Sequence, residues 1–79
     1  MKILTKEQLE KNKNIPLQEI KSDIKETQNE IDDYNLQLNI LKKKPTENRL
    51  DIYLLEGQIL QREEFINMLE QIYRYNDNK

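Results

Sequence analysis

Residues 38–55 read LNILKKKPTENRLDIYLL, and the break inside this stretch decides the fold. Before it, seam residues recur at alternating spacings of three and four: Leu17, Ile20, Ile24, Thr27, Ile31, Tyr34, Leu38 and Leu41. After it the same rhythm resumes with Ile52, Leu55, Ile59, Arg62, Ile66, Leu69 and Tyr73. A repeat of about 3.5 residues marks a helix with a narrow apolar seam that needs a partner helix. Between the two runs, Pro45 clashes with helical geometry at Lys44 and stops the first helix. Folding the chain back at Pro45 lets each seam bury the other.

The expected fold is all-α: an antiparallel two-helix coiled-coil hairpin with a short N-terminal helix packed on it, a small three-helix domain over residues 1–79. The expected divisions are an arm at 1–14, a helix at 16–43, a turn at 44–46, a helix at 46–75 and a frayed tail at 76–79. Thr5-Lys6-Glu7-Gln8 has the form of a capping box, so a short helix should occupy residues 4–13. Pro16 suits the first turn of the next helix, where its missing N–H costs nothing. Lys42, Lys43 and Lys44 suit the negative end of that helix. Thr46 is the candidate cap for the last helix.

Antiparallel pairing sets Leu41 against Ile52, Leu38 against Leu55, Tyr34 against Ile59 and Ile31 against Arg62. Thr27 then meets Ile66, Ile24 meets Leu69 and Ile20 meets Tyr73. Thr27 and Arg62 place polar groups mid-seam, a device that sets register at some loss of stability. Lys21 should come near Glu70 on the flank.

Composition narrows the function classes. The chain has no Cys and no His, so disulfides, thiolate metal sites and the commonest general base are absent. Neither Asp32-Asp33 nor Glu63-Glu64 converges on one point, because neighbours on a helix diverge by about 100°. No Gly-rich loop is present to hold a phosphate. The expectation is no enzyme activity, no cofactor and no metal. A net charge of −2 argues against a general nucleic-acid footprint, with Lys42–Lys44 and the arm as its only candidates. No apolar run reaches the ~18 residues of a membrane span, and Met1-Lys2-Ile3-Leu4 is too short for a signal-peptide core. The default expectation is a cytoplasmic protein.

Apolar residues beyond the seam point to partners. Phe65, Met68, Ile72 and Tyr75 form a second row on the last helix. The matching row on the first long helix is acidic: Glu19, Asp23, Glu26, Glu30 and Asp33. Together they make a groove with one apolar and one acidic wall. Residues 2–13 fit it, with Ile3, Leu4 and Leu9 as the apolar face and Lys2, Lys6, Lys11 and Lys13 as the charge. The alternative occupant is a helix from another protein, with the arm mobile. Leu36, Ile40, Tyr53, Leu54 and Leu60 point away from the seam near the turn, with Gly57 among them. They form a candidate partner surface, or the interface of a homodimer in a four-helix bundle.

A short, single-domain, helical chain rich in Lys, Glu, Asn and Ile resembles the small host-takeover proteins of lytic Bacillus phages, including the type that inhibits cell division. The resemblance lies in length and composition and carries no site residues across. It implies a viral inhibitor that binds a host protein and blocks its assembly. A coiled-coil component of the division machinery is the kind of target it suggests. The alternative function is a structural homo-oligomer or a phage assembly component.

Overall fold

The computed structural model describes residues 2–78. Among them are α1 (Lys6–Lys11), α2 (Leu17–Leu41) and α3 (Arg49–Asp77), and no strand. Helices α2 and α3 lie antiparallel and side by side, and α1 packs on α3. The molecule measures 51 × 22 × 13 Å. Its thinnest dimension is close to the ~10–12 Å diameter of one helix with its side chains. Only residues turned towards the neighbouring helix, or covered by the arm, are therefore removed from water.

The seam is the one read from the sequence. Ile20, Thr27, Ile31, Leu38, Ile66 and Leu69 are buried, and Leu17, Ile24, Tyr34, Leu41, Ile52, Leu55, Ile59, Arg62 and Tyr73 are half-buried. Ile20, Ile24, Leu69 and Tyr73 belong to one packed cluster, as the expected register requires. The polar layers are satisfied locally. Thr27 Oγ1 donates to the Asp23 carbonyl at 2.8 Å, one turn back along its own helix. Arg62 leans over the Tyr34 ring, 4.8 Å from its centroid, and reaches Glu30 at 3.3 Å. Its guanidinium also donates to the carbonyl and side chain of Gln58. Lys21 and Glu70 line one small surface depression, but Lys21 sets its ammonium over the Tyr73 ring at 5.6 Å.

The connection between the long helices departs from the expected 44–46 turn. α2 ends at Leu41 rather than residue 43, and α3 begins at Arg49 rather than 46. Asn48, not Thr46, holds the N-cap position of α3, and no side chain caps that helix. Asn48 Nδ2 instead donates to the Leu41 carbonyl at 3.0 Å, a second bond on an acceptor that also takes the Lys44 amide at 3.2 Å, and so ties the start of α3 to the end of α2. Pro16 sits at the N-cap of α2, one residue before its first turn.

The arm is docked. Thr5 and Gln8 form the reciprocal capping box, at the start of a helix shorter than the expected 4–13. Leu4 is buried against Ile20, Leu69 and Ile72, with Leu9, Ile15, Ile24, Met68 and Tyr73 packed around them. Ile3, expected on the apolar face of the arm, is 76% exposed. Residues 2–4 precede the helix outside any regular element, and there Leu4 is buried while its neighbour Ile3 faces solvent. Polar contacts fix the arm along α3. The Leu4 amide donates to Gln71 Oε1 at 2.8 Å, and Gln71 Nε2 donates to the Lys2 carbonyl at 2.8 Å. The Tyr75 hydroxyl donates to Glu10, and Asn76 Nδ2 donates to the carbonyls of Asn12 and Ile15. Asn76 and Asp77, expected in a frayed tail, are thus helical, because Asn76 ties down the hinge of the arm. Residues 1 and 79 lie outside the described part of the arm and the tail.

Candidate protein-binding surface

Burial of the seam turns the opposite face of each long helix to solvent. On α3 that face carries Leu50, Tyr53, Leu54 and Leu60, which are 69%, 73%, 55% and 60% exposed. With Gly57 they recur at spacings of three and four, and successive members fall within about 60° of a line opposite the seam. Tyr53, Leu54, Gly57 and Leu60 line one shallow depression together with Gln58 and Gln61. Leu50 and Tyr53 continue into a second depression that ends at Pro45 and Thr46. The result is an unbroken apolar stripe along the outer side of α3, running from the turn to the middle of the helix.

Gly57 lies at the midpoint of this stripe. Its φ is not positive, so the backbone conformation does not call for glycine. A Cβ added there would meet no atom within 4 Å. Glycine inside a helix costs about 1 kcal/mol relative to alanine. The chain forgoes that stability with none of its described residues packed against the position.

The other sequence-predicted contact residues divide into two sets. Leu36 and Ile40, each 64% exposed, sit one turn apart on the outer side of α2 and form a smaller patch separate from the α3 stripe. Phe65 is 43% exposed, while Met68 and Tyr75 are half-buried and Ile72 is buried. Met68, Ile72 and Tyr75 form the bed of the docked arm, which stops short of Phe65. Leu50 escapes a reading that looks for second rows beside the seam. Its signal is the three-four spacing back from Leu54 and Tyr53.

The charge around these surfaces is acidic. Between residues 47 and 64, Glu47, Asp51, Glu56, Glu63 and Glu64 stand against Arg49 and Arg62, and Arg62 is turned towards Glu30. Glu56 and Glu63 follow one edge of the stripe, Asp51 the other, and Glu64 its far end. On α2, Glu19, Asp23, Glu26 and Asp33 are exposed. The expected pairing of this acidic wall with the arm takes another form: Lys11 pairs with Glu7 and Lys13 with Glu10, inside the arm itself. The arm is held to α3 by apolar contacts, by the amide hydrogen bonds of Gln71 and Asn76, and by the Tyr75 hydroxyl on Glu10.

Among the described residues no group of three or more carboxylates is placed to hold a metal ion. None of their helices is long and apolar enough to cross a membrane. Comparison with family models, with curated proteins and with solved structures finds no match to this chain.

Proposed function

We propose that this protein is a non-enzymatic binding module that holds another protein through helix–helix contact, with the outer stripe of α3 as its working surface. The observation that carries the reading is the run of Leu50, Tyr53, Leu54 and Leu60, each more than half exposed, opposite a seam that is already satisfied. Monomers rarely leave a contiguous apolar face of this kind open, and one rimmed by polar residues marks an interaction site. A preformed helix that presents three-four anchors is suited to pairing with another helix.

The resemblance to phage host-takeover proteins supplies the biological setting of the proposal. In that setting the module acts in the host cytoplasm and inhibits a helical or coiled-coil host protein, a division component being the type of target implied. The test is affinity capture from a bacterial lysate with the native chain and with a Tyr53→Glu, Leu54→Lys variant. Both positions face solvent, so the variant should keep its helicity by circular dichroism. A helical host protein retained by the native chain, lost from the variant and cross-linked to the α3 stripe supports the reading. Retention that ignores both substitutions overturns it. Self-association abolished by the same substitutions, with no host protein held, gives the face to a homo-oligomer instead.

A further inference from the structure

We infer that the outer stripe of α3 takes a basic amphipathic helix that crosses it at Gly57. The inference rests on the helix-binding reading and names the chemistry of the partner. Two independent features carry it. First, Gly57 is a notch in the middle of the stripe, opposite the seam, with open space where a Cβ would stand. Helix axes pack about 8–10 Å apart depending on the side chains at the crossing, and glycine permits the short end of that range. Leu54 and Tyr53 on one side of the notch and Leu60 on the other then flank the crossing point as ridges.

Second, the stripe is apolar along its centre and predominantly acidic along its borders, where Asp51, Glu56, Glu63 and Glu64 outnumber Arg49. A helix with lysines or arginines flanking an apolar row meets both. A second copy of this chain brings the same carboxylates to the same edges, and like charges brought together in an interface oppose association. The occupant is therefore a cationic helix of another protein.

The experiment uses the full chain and a labelled helical peptide with leucines at three-four spacing, an alanine at its midpoint and lysines along its flanks. A control peptide keeps the leucines and replaces every lysine with glutamate. Fluorescence anisotropy should show binding of the lysine peptide that weakens with salt, and no binding of the glutamate peptide. Gly57→Ala should raise the melting temperature by about 4 °C or more, because alanine is the better helix former. The same change should weaken peptide binding by roughly tenfold, because it fills the notch. Glu56→Gln with Glu63→Gln should reduce both the affinity and its salt dependence. Equal binding of the two peptides, no binding of either, or undiminished binding to Gly57→Ala overturns the inference. A host protein captured through Tyr53 and Leu54 but indifferent to Gly57→Ala would leave the binding function standing and remove only this crossing.

Discussion

Truncating Ile20 tests whether the arm and the hairpin share one core. Ile20 is 1% exposed and packs with Leu4 from the arm and with Leu69 and Ile72 from α3. Ile20→Ala removes three carbons, about 2.4 kcal/mol of transfer free energy at about 0.8 kcal/mol each. The space left where three segments meet adds about 1 kcal/mol for the cavity, because a junction held from three sides relaxes little. The expected loss is thus about 3–4 kcal/mol. A chain of this size has roughly 4–12 kcal/mol to lose in total. At about 4–8 °C per kcal/mol, the melting temperature should fall by about 12 °C or more. The assay is thermal unfolding followed by circular dichroism, with Leu36→Ala, 64% exposed, as the surface comparison. Leu36→Ala should change stability by no more than about 0.5 kcal/mol. A drop of less than about 5 °C for Ile20→Ala would refute the packed junction, as would equal drops for the two variants.

Gln71→Ala removes both amide hydrogen bonds to the part of the arm that precedes α1. At about 1 kcal/mol net per bond, hydrogen exchange at the Leu4 amide should accelerate by roughly thirtyfold, with the central amides of α2 and α3 unchanged; unaltered protection at Leu4 would show that the apolar contacts alone hold the arm. Arg62→Leu should raise the melting temperature, because a leucine seam layer outweighs an exposed ion pair worth about 0–1 kcal/mol. A lower melting temperature would mean that the contacts of Arg62 with Tyr34, Glu30 and Gln58 contribute more than the seam would gain.

The α3 stripe and the bed of the arm differ in how they arise, although both are apolar rows beside one seam. Phe65, Met68, Ile72 and Tyr75 looked like one row, yet the arm covers the last three and leaves Phe65 partly open. Periodicity places a residue on a face but does not say how far a tethered segment reaches along it. The same limit applies to Ile3 and Leu4, two neighbouring apolar residues of which one is anchored and one exposed. Their fates are set ahead of the Thr5 cap, outside any regular element, where Leu4 meets Ile20, Leu69 and Ile72 and Ile3 does not.

By itself the sequence determined the helical class, the two seams, their antiparallel register and the capping box at Thr5. Those features follow from local propensity and from a repeat that gives each long helix a continuous seam to bury. Tertiary structure decided the width of the turn, the helicity of Asn76 and Asp77, and the docking of the arm on α3 through Gln71, Tyr75 and Asn76. The turn depends on Asn48 reaching back to Leu41, and the last two on polar groups that meet across more than sixty residues of chain, where no spacing rule operates. The vacancy at Gly57 is of the same kind, since only the packed chain shows that no described residue comes within 4 Å of a Cβ placed there.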